Sequence, residues 1–251
     1  MDRSYRRFMS PGDLTGFRVV VGETDLWVAA ETDLSIPLKR RVEFHRRQLK
    51  AYIARDPLFA DALVPIRGLP GAPPLIARML SAADIAGVGP MAAVAGAIAQ
   101  AVGEDLRAES PEIIIENGGD LFLRSRAKRT IAVLAGESCF SGRLGMVVPP
   151  CPDGFSVCTS AGTVGPSLSL GRADAAVVAA EDAALADAVA TALGNRVKAA
   201  GDLEAAVSWA TSLPGVRGAL AVLGSNLAAS GEMTLCALSE SDRREDNKPT
   251  T

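Results

Sequence analysis

Asp187 and Thr191 lie four residues apart in the Ala-rich run LADAVATALGN, residues 185–195. The run has the composition of a helix, in which residues i and i+4 share one face, about 5 to 6 Å apart at Cβ. A carboxylate and a hydroxyl on one face are oxygen ligands of the kind that Mg²⁺ prefers. The pair therefore predicts a magnesium site completed by substrate phosphates. The alternative is that Asp187 caps a helix or faces solvent, and that Thr191 bonds back to a backbone carbonyl.

A second group of polar residues surrounds two glycines in the segment ENGGD, residues 116–120, between two strand-like runs. Asn-Gly is a strong hairpin signal, and a turn that needs positive φ explains the glycines equally well. In the alternative interpretation, the missing side chains let a ligand lie against the backbone while neighbouring side chains supply hydrogen bonds. The residues concerned are Glu116, Asn117, Gly118, Gly119 and Asp120.

A third segment, CTSAGTVGPSLSLG at residues 158–171, is rich in glycine and hydroxyl side chains. Exposed backbone amides and hydroxyls can surround phosphate oxygens without cationic side chains. The same composition is ordinary for a loop, and no Walker-type lysine follows it. The residues predicted to contact a phosphate are Thr159, Ser160, Gly162 and Thr163.

The elements that must position these residues have an α+β pattern. Residues 16–30 predict a strand pair or one long bent strand, and residues 36–54 predict a helix. A proline-rich connector and two further helices follow, and from residue 112 short strands suggest an antiparallel meander. The helix that carries Asp187 comes later, with Asp182 as its predicted N-cap.

The domain prediction follows from this pattern and from the polar C-terminus. We expect a single domain over residues 1–238, in which the part up to about residue 70 is able to form a lobe. Residues 239–251 lack apolar content and predict a disordered tail.

Composition argues against several classes of protein. The chain has 26 Lys and Arg against 29 Asp and Glu, so its charge gives no reason to expect a nucleic-acid partner. Four cysteines without CxxC spacing and a single histidine, His45, which we expect at the surface, give little support for zinc. Residues 1–16 lack the apolar run of an export signal, and glycines and a proline interrupt the apolar segment 85–102. We therefore expect a cytoplasmic protein without a membrane span.

Four segments, in this order, resemble the ApbE-like superfamily, whose best-known members are magnesium-dependent FAD:protein FMN transferases. They are GVGPMAAVAGAIAQAVGEDL, ENGGDLFL, VCTSAGTVGPSLSLGRADA and ALADAVATALGN. GETDLWVAA, YIARDP and VGPMAAVAGAIA are also similar to a compact branch of that superfamily, uncharacterised protein family 0280. The resemblance spans residues 5–236 and implies an α+β fold of antiparallel sheets packed with helices.

The resemblance also implies roles for individual residues. Asp187 and Thr191 match the magnesium-binding Asp and Thr of the transferases, and the carbonyl of Ala97 would complete that site. Gly118, Gly119 and Asp120 match the block that lies along the flavin nucleotide. Thr159, Ser160 and Gly162 match a second block, TSG, less well. FAD would then be the substrate or ligand, and Mg²⁺ its ion.

The chain departs from the transferases where catalysis is concerned. A transferase histidine follows the TSG block, whereas this chain has Pro166 there, and the Lys and Tyr of the transferases are replaced by Gln100 and Val102. One alternative is an enzyme that transfers FMN to an acceptor protein or hydrolyses the FAD pyrophosphate, with Asp120 activating the nucleophile. A second is a non-catalytic module that binds a flavin or another phosphorylated metabolite. A third is a scaffold whose Ala- and Gly-rich faces pack against another subunit in a homo-oligomer.

Overall fold

The computed structural model describes Arg6, residues 9–160 and residues 171–239. The strands are β1 (Thr15–Val21), β2 (Thr24–Ala30), β3 (Ile113–Asn117), β4 (Asp120–Ser125), β5 (Arg129–Val133), β6 (Leu144–Val148), β7 (Cys151–Ser160), β8 (Ala175–Ala180), β9 (Val216–Leu223), β10 (Asn226–Gly231) and β11 (Thr234–Ala237). The helices are α1 (Ser35–Arg55), α2 (Leu58–Asp61), α3 (Pro74–Ala86), α4 (Val94–Asp105), α5 (Ala183–Arg196) and α6 (Leu203–Ser212). A 3-10 turn, Pro90–Ala93, leads directly into α4.

The strands form two antiparallel sheets. The main sheet has the order β1-β2-β3-β4-β7-β8-β9-β10, and the small sheet has the order β11-β6-β5. Each pair of neighbouring strands is antiparallel. The predicted α+β fold of antiparallel sheets packed with helices is therefore confirmed.

The predicted meander ends at β4. The long strand β7 pairs with β4, with Leu121 opposite Val157, while β5 and β6 pair with each other and with β11 in the small sheet. The expectation that β5 and β6 continue a single meander is wrong, because short strand spacing favours pairing between neighbours but does not say which sheet they join. Residues 16–30 form the strand pair β1–β2, not one bent strand.

The fold has three layers, and strand β8 contributes side chains to the hydrophobic cores on both sides of the main sheet. Its side chains are all buried and alternate between the two faces of the main sheet. Val178 belongs to the core under the helices, whereas Val177 belongs to the core under the small sheet. The main sheet thus lies between a helical layer and the small sheet.

The helical layer and the first strands share one hydrophobic core. Leu26 of β2, Leu38 of α1, Met79 of α3, Ile98 of α4 and Leu193 of α5 all belong to it. Within the described part of the chain, no single helix is long and apolar enough to cross a membrane; α3 and Pro90–Asp105 reach that criterion only as a pair bent by 108°. The predicted disordered tail at 239–251 lies outside the described residues, apart from Ser239.

Candidate functional site

Asp187 lies on the second turn of α5 and is only 9% exposed. The helix begins at the predicted N-cap, because the Asp182 carboxylate accepts a hydrogen bond from the Leu185 N–H at 2.9 Å. Oδ2 of Asp187 accepts hydrogen bonds from the N–H groups of Ala95 at 3.1 Å and Gly96 at 2.9 Å. These amides belong to the first turn of α4, where helical N–H groups have no partner within the helix. Asp187 therefore caps α4, as one alternative proposed, but it does so with one oxygen.

The close contact between α4 and α5 depends on Gly96. A Cβ at this position would lie 2.2 Å from the Ala183 carbonyl oxygen and 3.0 Å from the Asp187 Cβ. The helices run antiparallel, because one turn further along α4 the Gln100 side chain accepts a hydrogen bond from the Ala183 N–H. Glycine is thus required for the Asp187 carboxylate to reach the end of α4.

Thr191 and Ala97 lie in the same pair of helices. Thr191 is half-buried, one turn beyond Asp187, and its hydroxyl forms no hydrogen bond with any described residue. The alternative in which Thr191 bonds back to a carbonyl is therefore wrong. Ala97 follows Gly96 and is fully buried. Oδ1 of Asp187 likewise accepts no hydrogen bond from the described residues.

The glycine pair forms the predicted hairpin turn between β3 and β4. Gly118 and Gly119 have φ values of 72° and 106°, which favour glycine strongly. A Cβ at Gly118 would meet nothing within 4 Å among the described residues, so none of them covers this side of the turn. Asn117 anchors the turn to the start of α4, because its Nδ2 donates a hydrogen bond to the Ala95 carbonyl at 3.0 Å.

Asp120 begins β4 immediately after the turn and is 6% exposed. Its Oδ1 accepts a hydrogen bond from the Thr159 N–H of β7 at 3.3 Å. The thiol of Cys158, on the same strand, is fully buried and donates a hydrogen bond to the Ala183 carbonyl of α5 at 3.5 Å. A Cβ at Gly119 would lie 3.5 Å from the Thr159 carbonyl oxygen, and Asn117 contacts the start of α4, so the turn, the end of β7 and the α4–α5 contact meet in one place.

Asp120 and Asp187 are buried close enough to interact electrostatically. Burial raises the pKa of Asp120 well above its ordinary value, and the charge of Asp187 raises it further. Burial raises the pKa of Asp187 to about 7, although the two amide hydrogen bonds lower it. Within the described residues, no lysine or arginine side chain hydrogen-bonds to either carboxyl. Ionising both groups is therefore unfavourable without an added cation.

These shifts predict how the stability of the metal-free protein depends on pH. Between the ordinary Asp pKa of 3.8 and the folded value of about 7, the folded state binds more protons at Asp187 than the unfolded state does. Stability present below pH 4 should therefore be lost as the pH rises to about 7, by up to about 4 kcal/mol.

Urea unfolding in EDTA at pH 5 and pH 8 measures this effect. Because other carboxyls titrate as well, the quantity of interest is the difference between the wild type and Asp187→Asn, which lacks the ionisable group. We expect the wild type to lose more stability than the variant between these pH values. Equal losses in the two proteins would contradict the assignment.

A separate cavity of about 590 Å³ lies at the opposite end of β7. Its polar lining includes Gln100, Asp182 and Arg217, each of which already has partners in the chain. The carboxyls of Asp120 and Asp187 do not line this cavity. We place the candidate site at these carboxyls, because no lysine or arginine among the described residues hydrogen-bonds to either of them.

The residues at which the chain departs from the transferases are structural here. Gln100 is buried and bonds both the Ala183 N–H, at 2.6 Å, and the Glu104 carboxylate, at 2.8 Å, while Val102 is fully buried. The expectation that His45 lies at the surface is wrong, because it is 8% exposed and its Nε2 contacts Asp105 at 2.8 Å. The amphipathic pattern of α1 leaves its side chain on the inner face.

Two predicted site residues, Gly162 and Thr163, lie outside the described part of the chain, as does Pro166, which stands where the transferases have a histidine. The sequence reasoning missed the pairing of Asp120 with Asp187 and the contact of Arg6 with Glu116, at 2.7 Å. Both involve residues far apart along the chain, so only the sheet order and the helix packing bring them together. No local pattern could have revealed either one.

Comparison with known proteins agrees with this architecture. A family described as AbpE bacteria matches residues 6–213. A UPF0280 protein of Methanosphaerula palustris is 47% identical over 204 residues, covering 80% of this chain and 84% of that protein. A UPF0280 protein of Methanocella arvoryzae is 42% identical over 189 residues, covering 75% and 77%.

Solved structures show the same fold at low sequence identity. The apo form of the Pseudomonas stutzeri flavinyl transferase ApbE has a TM-score of 0.56 and 14% identity, covering 86% of this chain and 93% of that one. The ApbE protein of Thermotoga maritima has a TM-score of 0.52 and 13% identity, covering 86% and 97%. With these matches and the two antiparallel sheets packed with helices, the chain belongs to the UPF0280 family and has the ApbE-like fold.

Proposed function

We propose that this protein binds FAD together with Mg²⁺ at the site formed by the Gly118–Gly119 turn, the end of β7 and the α4–α5 contact. The observation that carries the proposal is the pair of buried carboxyls, Asp120 and Asp187, whose charges no protein cation hydrogen-bonds within the described residues. The fold shared with flavin transferases supports a flavin nucleotide as the ligand. The side of the glycine turn that no described residue covers supports close approach of that ligand to the backbone.

The donor atoms suit a hard cation. Asp187 keeps Oδ1 for the ion, the Thr191 hydroxyl is uncommitted among the described residues, and the Ala97 carbonyl has a second lone pair beyond any helical hydrogen bond. No group of three or more His, Cys, Asp or Glu side chains in the described ranges is arranged to hold a metal. This agrees with Mg²⁺, which is commonly held by one or two carboxylates, waters and substrate phosphates. When bound, the ion would neutralise the pyrophosphate and the charge that develops on the departing AMP.

The remaining residues would orient the ligand and move a proton. Asn117 holds the turn against α4, and the backbone of Gly118 and Gly119 would lie along the nucleotide. Thr159 and Ser160 would contact phosphate oxygens, together with Gly162 and Thr163 outside the described residues. Asp120 would accept the proton of a water or of a hydroxyl on an acceptor protein, as that oxygen bonds to the FMN phosphorus and the bond to AMP breaks. A raised carboxyl pKa suits a general base that works near neutral pH.

A second candidate function is binding of a flavin or another phosphorylated metabolite without chemistry. It is favoured by the position of the only histidine in the chain, His45, which pairs with Asp105 between α1 and α4. The transferases have a histidine near the flavin site, whereas none of the described residues at the candidate site is a histidine.

Incubation with FAD and MgCl₂ separates the two functions. We expect AMP to appear, with FMN either free or retained on an acceptor protein after denaturation. Asp120→Asn should slow AMP release by about 100-fold or more, because it removes the base. Flavin fluorescence quenching should show that the variant still binds FAD.

Quenching by FAD without AMP, in the wild type and the variant alike, would support the binding module and exclude the enzyme. Absence of both quenching and AMP would reject a flavin function altogether. EDTA is the control for metal dependence, because it should abolish quenching if Mg²⁺ bridges protein and pyrophosphate.

A further inference from the structure

Arg6 joins the start of the chain to the centre of the main sheet. Its Nε and Nη2 lie 2.7 and 2.6 Å from Oε2 of Glu116, and its Nη1 lies 2.7 Å from Oδ1 of Asp25. The Glu116 side chain is 1% exposed and the Arg6 side chain is 10% exposed. The guanidinium is thus a counterion for a carboxylate that is almost completely removed from water.

Glu116 links Arg6 to the glycine turn. Its other oxygen, Oε1, accepts a hydrogen bond from the Gly119 N–H at 2.8 Å. A hydrogen bond to a charged acceptor is stronger than one between neutral groups. Gly118 and Gly119 both have positive φ, and glycine restricts its own backbone very little, so the conformation of the turn depends on such external contacts. Asp120 follows directly, so the direction in which its carboxyl points depends on the same turn.

We infer that Arg6 is a positioning residue, which acts through Glu116 to hold the Gly118–Gly119 turn and Asp120 in the conformation that binds ligand. The nature of that ligand rests on the proposed function, whereas the effect on the turn does not. Removing one partner of a buried ion pair leaves a charge that must rearrange towards water. In this protein the rearranging group is the acceptor for the Gly119 amide.

The matched control is Arg129. Its side chain is 14% exposed and also bridges two carboxylates, Asp13 at 2.6 Å and Glu112 at 3.1 Å. Asp13 precedes β1, Glu112 precedes β3, and Arg129 also contacts Ser125 at the end of β4 away from Asp120. Arg129→Met therefore removes a comparable ion pair without touching the turn.

Amide hydrogen exchange of the ligand-free 251-residue protein tests the effect on the turn. Arg6→Met should increase exchange at Gly119 by about tenfold or more, while exchange in α5 stays unchanged. Arg6→Lys should restore part of the protection, because an ammonium supplies the charge but not the fork of donors. Arg129→Met should leave Gly119 as in the wild type.

Titration with FAD in MgCl₂, followed by flavin fluorescence, tests the effect on binding. Arg6→Met should weaken FAD binding by about tenfold or more. Losses of this size are typical when a residue that orients a ligand-binding group is replaced. In a Glu116→Gln background, the Arg6→Met change should have little further effect, because the two residues act as one unit.

The inference is overturned if Arg6→Met leaves amide exchange at Gly119 unchanged, or if it raises exchange equally throughout α5. It is also overturned if Arg6→Met and Glu116→Gln have additive effects on FAD affinity. If Arg6→Met fails to fold, Arg6→Lys and Glu116→Gln give the same comparisons. If the wild type binds no FAD but Arg6→Met still loosens the turn, the positioning role stands and the proposed flavin function fails.

Discussion

Asp187→Asn should weaken magnesium-dependent FAD binding by about 100-fold or more, the upper end of the loss expected when a residue that supports a metal is replaced. Asparagine keeps one oxygen for the Ala95 and Gly96 amides but removes the negative charge that the ion requires. The fold should not suffer, because the replaced carboxylate is buried beside Asp120. The variant is therefore expected to be at least as stable as the wild type in EDTA at pH 8.

Fluorescence titration with FAD at several MgCl₂ concentrations, together with thermal unfolding, measures both effects. Asp182→Asn is the matched control, because it changes a carboxylate on the same helix that is 40% exposed and pairs with Arg78. Asparagine is an equally good N-cap, so α5 should be kept. FAD affinity that is the same in Asp187→Asn as in Asp182→Asn would remove Asp187 from the site.

Gly96→Ala should destabilise the protein by about 3 kcal/mol or more, at the upper end of the cost of overpacking a core. The added Cβ would lie 2.2 Å from the Ala183 carbonyl oxygen and 2.8 Å from its carbonyl carbon. Both are backbone atoms, so no side-chain rotation can relieve the contact. The helices α4 and α5 would have to separate, and the Asp187 carboxylate would lose its hydrogen bond to the residue 96 amide.

Gly201→Ala is the control for the change of residue type. A Cβ at Gly201 would meet no described residue within 4 Å, and Gly201 is exposed. Urea unfolding should show a stability near that of the wild type for this variant and a large loss for Gly96→Ala. A Gly96→Ala protein of wild-type stability would mean that the helices are not as closely packed as described.

Local patterns in the sequence predict the elements better than their partners. The position of Asp182 before an Ala-rich run predicts an N-cap, and the hydrogen bond that its carboxylate accepts from the Leu185 N–H confirms it. The Gly118–Gly119 turn follows from Asn-Gly between apolar runs, and the hairpin β3–β4 confirms it. Both features depend on neighbouring residues alone, so the sequence contains the necessary information.

The composition of the site is not a local property. Asp120 and Asp187 interact because β4 lies beside β7 and because α5 packs on that strand next to α4. The separation of 67 residues between the two carboxyls corresponds to no helix or strand period, so the sequence gives no sign that they meet. Alternating apolar residues predict a strand, but they do not show which other strand it pairs with or which sheet it joins. The resemblance to ApbE-like proteins supplied the segments, but the structure was needed to show which oxygens remain uncommitted.

The small sheet has a consequence for how the protein is made. Its strand β6 pairs with β11, and roughly 85 residues lie between Val148 and Thr234. At the usual pace of translation, about 5 to 20 residues per second, the ribosome needs roughly 4 to 17 seconds to add them. During that time one edge of β6 has no neighbour in the nascent chain, and an open strand edge is where chains join one another incorrectly.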